Sequence, residues 1–441
     1  MARITSIITQ LSPSDLQQTM WSISTKVLTM LLFYALQIFL ARYLGVELYA
    51  GWTYFYSIFT ILVVCTDFGL NESIKVFVAR SHPNEQGRII VNGVFLRFFL
   101  TTFFSILIFI FSPLLVRLLS SPHIIHDDTL LIILRISAIA IILFHILDAG
   151  KKIVTAIRKL SYLFIITTIE HVSKLIIVFL FTFSGLTIQS IVYAHIFAFL
   201  LAAFYSIFVV YSLFFKEKIA ARIQKNNIKE LVQYSIPLVI ISIGMLITTE
   251  VDTLMLGRLS STNEVAYYGV TKSIITKIPQ ISFAIAMATM PIFAVIHSKN
   301  IIQRKQKFFS LLKLNGVIII PIATLLAIAA PFIIVILFGE EYRLAENPLR
   351  ILSIYLIMYS FSVFYSLLLN YQKLASKRAR NHIIGILLNI LLNIILIPKY
   401  GATGAAIGTT LSYIPYFILN IFEAHHHLHQ YEVEIKNTST T

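Results

Sequence analysis

Apolar residues along this chain gather in long blocks, separated by short polar and basic connectors. A helix needs about 20 mostly apolar residues to cross a bilayer. Twelve blocks meet that test, at approximately 20–41, 51–70, 89–112, 129–149, 161–183, 189–215, 232–257, 265–296, 308–338, 349–372, 381–398 and 402–423. The eighth and ninth are longer than a crossing requires, so tilting, kinking or an interfacial extension is expected there. Segments of ~10 residues with alternating hydrophobicity, the signature of a membrane β-barrel, do not occur. The expectation is an all-α polytopic membrane protein with twelve transmembrane helices.

The connectors orient the spans. One alternating set carries 20 Lys and Arg residues: Lys75, Arg80 and Arg88; Lys151, Lys152, Arg158 and Lys159; Lys216, Lys218, Arg222, Lys225 and Lys229; Lys299, Arg304, Lys305 and Lys307; Lys373, Lys377, Arg378 and Arg380. The other set carries five: Arg42, Arg117, Arg258, Arg343 and Lys399. The bias of short loops toward Lys and Arg on the inner side places the first set, and both termini, in the cytoplasm. The longest polar connector, 216–230, divides the chain into an N-terminal six-helix lobe (1–215) and a C-terminal one (231–424), followed by a cytoplasmic tail (425–441). The connector reads as a solvated basic linker, with contact to anionic lipid as the sharper alternative.

Composition agrees. Charged residues are 12% of the 441 residues and apolar residues 58%, against about 25% charged in soluble proteins. That excludes a chain of soluble domains. The net charge of +15 would suggest nucleic acid in a soluble protein; here it is the loop bias. The single cysteine, Cys65, excludes an intrachain disulfide and is expected to serve packing. Residues 1–20 are polar and mixed, so no cleavable signal is expected. There is no Walker loop and no nucleophile with a recognisable base, so neither an enzyme nor a cofactor is expected. The run His425–His429 reads as a solvated tail rather than a metal site.

The halves repeat each other in order. Tyr49-Ala50-Gly51 is matched by Tyr267-Tyr268-Gly269, 218 residues on; Pro113 is matched by Pro331 at the same offset; Leu134-Arg135-Ile136 is matched by Leu349-Arg350-Ile351 at an offset of 215. A six-helix unit has an even number of crossings, so both copies enter from one side as parallel repeats, and two such bundles around a central cavity suit alternating access.

Several stretches resemble one family. They are Phe39-Leu-Ala-Arg-Tyr-Leu-Gly45 with Tyr49-Ala-Gly-Trp52, Thr66-Asp-Phe-Gly-Leu70, Asp252-Thr-Leu-Met-Leu-Gly257 with Val265-Ala-Tyr-Tyr-Gly269, Leu337-Phe-Gly-Glu-Glu-Tyr342, and Asn389-Ile-Leu-Leu-Asn393 running into Ile397-Pro-Lys-Tyr-Gly-Ala-Thr-Gly-Ala-Ala406. In order and spacing the chain resembles the polysaccharide-transport branch of the multidrug/oligosaccharidyl-lipid/polysaccharide (MOP) exporters, which includes the O-antigen flippases (Wzx). The resemblance implies a flippase of O-antigen or lipopolysaccharide biosynthesis in the bacterial inner membrane. It would move undecaprenyl-pyrophosphate-linked oligosaccharide repeat units from the cytoplasmic to the outer leaflet, with ion coupling. It would act as a monomer among membrane lipids and other polysaccharide-assembly membrane proteins. A multidrug cation antiporter of the same superfamily is the alternative. A fourteen-helix relative fits less well, since nothing apolar follows Glu423.

Charges within the spans fit an anionic cargo. An ionised group at bilayer depth costs roughly 2.5–3.5 kcal/mol on insertion scales, so it should face a cavity or a partner. Lys26, Arg97, Lys272, Lys277 and Lys313 are the candidate contacts to pyrophosphate and sugar. Snorkelling is the plainer reading for Lys26 and Lys272. Lys277 precedes Pro279, where a kink is expected. Asp67, Glu170, His171, Lys174, Glu250 and Asp252 are the candidates for coupling or gating. Glu170 and Lys174, four apart, are expected to pair, whereas Glu250 and Asp252 point about 200° apart on a helix. His145 and Asp148 form a further i,i+3 pair, for which interfacial packing is expected. His195 reads as a bonded core histidine. Asn71–Arg80 reads as a short interfacial helix capped by Asn71.

Overall fold

The computed structural model describes residues 13–214, 225–289, 301–371 and 374–438. The linker residues 215–224, the loop 290–300 with Lys299, the pair Gln372–Lys373 and the side chains of the histidine run beyond His426 lie outside the described residues. Fourteen α-helices are described: α1 (Pro13–Asp67), α2 (Leu70–Arg80), α3 (Pro83–Ile110), α4 (Ser112–Leu119), α5 (Asp127–Ala156), α6 (Leu160–Phe181), α7 (Ile188–Phe214), α8 (Lys225–Leu259), α9 (Thr262–Ile275), α10 (Pro279–Thr289), α11 (Ile301–Ile328), α12 (Ala330–Phe338), α13 (Glu346–Tyr371) and α14 (Ala375–Thr438). Among the described residues there is no strand, only one isolated bridge between Ser121 and Ile125. Eight helical stretches are long and apolar enough to cross a membrane, and two of these have 51 residues each. Those two, Gln17–Asp67 and Ser376–His426, break at Gly45 (φ 69°) and Gly401 (φ 53°). Left-handed backbone is open to glycine without the Cβ clash, so each stretch can turn back and supply two crossings. The set is compatible with the twelve spans expected.

Two further breaks fall just before a proline. α3 gives way to α4 at Phe111, two residues before Pro113, and α11 gives way to α12 at Ala329, two residues before Pro331. Both breaks respect the 218-residue offset, so the repeat extends to local backbone geometry. The expected kink near Lys277 is a full break: α9 ends at Ile275 and α10 begins at Pro279.

The chain forms two compact units. Unit 1 comprises Met1–Leu36 and Phe55–Leu246; unit 2 comprises Gln37–Tyr54 and Ile247–Thr441. Each unit therefore takes in a short piece from the other sequence half. In unit 1, α8 joins the bundle through Leu231, which packs with Ile74, Val78, Ile90, Ile153 and Phe214 and accepts a 3.1 Å bond from Ser73. In unit 2, residues 37–54 are held by the C-terminal half. Arg42 donates to the terminal carbonyls of α12, at 2.8 Å to Leu337, and Tyr342 donates to the Ala41 carbonyl at 3.0 Å.

Both units expose large apolar side chains, among them Phe204 (76%) and Val317 (74%), which suits lipid and not water. Lipid provides little hydrophobic drive between helices, so close backbone approach matters more. At Gly150 an added Cβ would lie 1.7 Å from Ser206 Oγ, so α5 and α7 meet there only because the residue is glycine. Two local expectations change. Cys65 is exposed on α1 and not packed inside. The N-terminus of α2 is capped by no side chain; Gly69 holds the cap position in a left-handed conformation, and Asn71 turns to Asp148.

Candidate functional site

Unit 1 holds two buried ionic clusters. The first forms where α1 ends. Phe68 and Gly69 have φ angles of 50° and 65°, which turns the chain and leaves the last helix carbonyls without intrahelical donors. Arg97 of α3 supplies them. Its Nη1 donates to the carbonyls of Thr66 (3.0 Å) and Asp67, and its Nη2 donates to Asp67 Oδ1 (2.7 Å) and to His145 Nδ1. A guanidinium only donates, so His145 Nδ1 accepts and the ring proton sits on Nε2, 2.8 Å from Thr66 Oγ1. Thr66 in turn donates to the Leu62 carbonyl at 2.8 Å. The network thus requires His145 neutral. Arg97 is 2% exposed and His145 1%. Beside it, Asn71 donates to Asp148 (2.7 Å), and Lys152 pairs with Glu72. His145 and Asp148 therefore serve different partners and not each other.

The second cluster joins α5, α6 and α7. Glu170 receives Lys151 on one oxygen and Lys174, at 3.5 Å, on the other. Lys174 also lies 4.9 Å from the centroid of the Phe199 ring, a cation–π contact. His195 Nδ1 donates to the Ile191 carbonyl at 2.8 Å and the ring stacks edge-on to Phe199, in line with a bonded core histidine. Glu170 and Lys174 are buried. Two ammonium groups face one carboxylate, which leaves one surplus positive charge at a site of low dielectric, where an anion would be attracted strongly.

Unit 2 is organised differently. Asp252, 1% exposed, is held by neutral groups only. Asn393 Nδ2 donates to Oδ1 at 2.6 Å, Tyr268 donates to Oδ2 at 2.6 Å, and Thr409 donates to Oδ2 as well. Asn393 Nδ2 also reaches Asn389 Oδ1 at 3.2 Å, while Asn393 Oδ1 and Asn389 Nδ2 have no partner among the described residues. No cation pairs with Asp252 among the described residues. A lone buried carboxylate is expensive unless it takes up a proton or a cation. Glu250 faces away and pairs with Lys272 at 2.6 Å, as the two-residue spacing requires. Glu423 pairs with Lys377 (2.7 Å) and Arg380 (2.9 Å).

The residues singled out from the sequence are thus dispersed. Asp67 and Arg97 come together, as do Glu170 and Lys174, and Glu250 and Lys272. Arg97 is consumed by the α1 break and presents no open donor surface. Lys26 and Lys313 are exposed and make no ion pair or hydrogen bond among the described residues. Lys313 shares its helix face with Phe309, Val317 and Ile320, all exposed, which is a stripe suited to lipid. Lys277 and His171 are half-buried, Lys277 at the α9–α10 break. Sequence reasoning missed Lys151 as a partner of Glu170, because a basic residue at a helix end reads as loop. It also missed Tyr268, Asn389, Asn393 and Thr409 around Asp252. Two amides four apart in an otherwise apolar span were the available signal.

Comparison with known proteins places this arrangement. The model of the family described as polysaccharide biosynthesis protein matches residues 16–297, and the MatE model matches 237–395. An uncharacterized membrane protein, MJ1068, of Methanocaldococcus jannaschii is 25% identical over 84% of this chain and 76% of its own length. The "Probable low-salt glycan biosynthesis flippase Agl15" of Haloferax volcanii is 24% identical over 85% of this chain and 76% of its own. Among solved structures, an inward-facing multidrug resistance MATE transporter of the MOP superfamily superposes with a TM-score of 0.75 at 13% identity, covering 94% of this chain and 95% of its own. The lipid II flippase MurJ in an inward closed conformation gives 0.74 at 16% identity, covering 92% and 87%. A helical fold shared with transporters and a family match over more than half its length lead to one conclusion: the chain belongs to the polysaccharide biosynthesis protein family.

Proposed function

We propose that this protein is a flippase for polyprenyl-pyrophosphate-linked oligosaccharides. The observation that carries the reading is the surplus of cation in unit 1, where half-buried Lys151 and buried Lys174 flank the single carboxylate of Glu170. A pyrophosphate must shed water to cross a low-dielectric layer, and a fixed cation lowers that barrier. The glycan flippase relative supports the same cargo class. In this reading the lobes 1–215 and 231–424 move against each other about the linker 216–230, with the termini and the tail 425–441 cytoplasmic. Lys26 and Lys277 meet the headgroup, and the polyprenyl tail stays in lipid. Lys272 is retained as a cation that Glu250 holds in reserve. Undecaprenol is the proposed carrier and a bacterial inner membrane the proposed site, although both relatives named above come from archaea. Asp252 is the proposed coupling group: transport would exchange its proton or cation for conformational change, and Glu170 with His171 would tune the unit 1 site.

The test is deletion of the gene in its host, followed by chromatography of lipid-linked sugars from each leaflet. Accumulation of repeat units on the cytoplasmic side, cured by wild type but not by Lys174→Ala or Lys26→Ala, is the expected result. An unchanged leaflet distribution, with altered resistance to cationic compounds, would favour the multidrug antiporter reading suggested by the MatE match over 237–395.

A further inference from the structure

A second polar site lies inside unit 2, away from Asp252. Three side chains there, Ser282, Asn315 and Ser360, are 0% exposed. Ser282 Oγ, Ser360 Oγ and both polar atoms of Asn315 have no hydrogen-bond partner among the described residues. They sit on three helices that share one core, which contains Ala286 of α10, Phe308 and Leu312 of α11, and Phe364 and Leu368 of α13. α11 and α13 run antiparallel, since the ring of Phe308 meets that of Tyr365 (5.3 Å) while Gly316 faces Phe361. Ser282 lies one turn before Ala286, Asn315 one turn after Leu312, and Ser360 one turn before Phe364. Residues three or four apart share a helix face, so all three extend the same core by one turn.

The internal repeat says what this place is. At the offset of 218, Arg97 corresponds to Asn315, Asp67 to Ile285 and Thr66 to Ala284; at the offset of 215, His145 corresponds to Ser360. Unit 1 fills the location with the Arg97–Asp67–His145–Thr66 network. Unit 2 has neither the carboxylate nor the guanidinium, and in place of long side chains it carries an amide and a hydroxyl. These shorter groups reach no partner, yet they remain polar and fully enclosed. An unsatisfied buried polar group costs about 1–3 kcal/mol, and native proteins satisfy such groups with ordered water that makes about three hydrogen bonds.

We propose that Ser282, Asn315 and Ser360 enclose a polar chamber within unit 2 that holds ordered water where unit 1 holds the Arg97 guanidinium. With two amide hydrogens, one amide oxygen and two hydroxyls, the chamber offers donors and acceptors to water but no carboxylate to fix a charge. Its consequence is mechanical. α10, which follows the break at 276–278, is tied to α11 and α13 by exchangeable water bonds, whereas the end of α1 is tied to α3 and α5 by an ion pair.

The test is X-ray radiolytic footprinting of the purified full chain in ¹⁸O-water, with melting measured alongside. Phe364 is 0% exposed, so oxygen reaches it only from trapped water. Labelling of Phe364 in wild type, lost in Asn315→Leu with Ser360→Ala while a surface phenylalanine stays labelled, is expected. A dry chamber predicts no label at Phe364 and a higher melting temperature for that double variant, and either result overturns the proposal. A sodium-dependent rise in melting temperature that survives Asp252→Asn and disappears in Asn315→Leu would also overturn it, because the occupant would then be a cation.

Discussion

The units differ in how their most deeply buried ion is held, although Glu250 and Glu423 of unit 2 pair with cations as the buried ions of unit 1 do. In unit 1 the buried ions have opposite partners: Arg97 with Asp67, and Glu170 with Lys151 and Lys174. In unit 2 the most deeply buried carboxylate, Asp252, has only Asn393, Tyr268 and Thr409. A paired ion is fixed, because removing either member strands the other. A carboxylate held by neutral dipoles has no countercharge to strand when it is replaced. The proposed roles, anion attraction in unit 1 and ion coupling at Asp252, rest on this difference.

Variants can break this contrast, and the largest effect is expected at Arg97. Arg97→Leu leaves Asp67 and two helix carbonyls unpaired, and breaking a buried ion pair destabilises by about 3–5 kcal/mol. Unfolding in bicelles should show this loss, and Arg97→Asn combined with Asp67→Ile, the pattern of unit 2, should restore most of it. Glu170→Gln comes next. It releases Lys151 and Lys174 from their anion, so stability should fall by about 3 kcal/mol while affinity for pyrophosphate, followed by isothermal titration, rises or holds. Asp252→Asn is the sharpest contrast. The amide keeps the shape and strands no countercharge, so stability should stay within about 1 kcal/mol of wild type, yet cation- or pH-driven transport in proteoliposomes should be lost. Equal destabilisation by Arg97→Leu and Asp252→Asn would remove the distinction between the units. The smallest effect belongs to Glu264, whose carboxylate accepts the Ala402 N–H at 2.6 Å beside the Gly401 break. Glu264→Ala removes a helix-start acceptor, worth about 1 kcal/mol, and should lower the melting temperature slightly with transport unchanged.

Much of this was legible without coordinates. Block length and loop charge implied a helical membrane protein, and the match of Pro113 with Pro331 marked a repeat that the structure extends to a break two residues before each. Pairing of Glu170 with Lys174 and the divergence of Glu250 from Asp252 follow from helical spacing alone. The candidate site was less legible. Lys151 looked like a loop residue, Arg97 like a substrate contact, and Asn71 like a cap. Each error has one cause: the deciding partner comes from another helix, 19 to 77 positions away.

Composition and helical periodicity act locally, so they set the solvent and the element type, but not which proline interrupts a span, since Pro321, Pro398 and Pro415 lie inside helices. Which charges are satisfied is a question of distance between helices, and only the tertiary structure decided it. Thus Arg97 closes a helix end, Glu170 is shared between two lysines, and Asp252 stands among neutral donors, because burial makes every nearby dipole count and sequence separation says nothing about nearness.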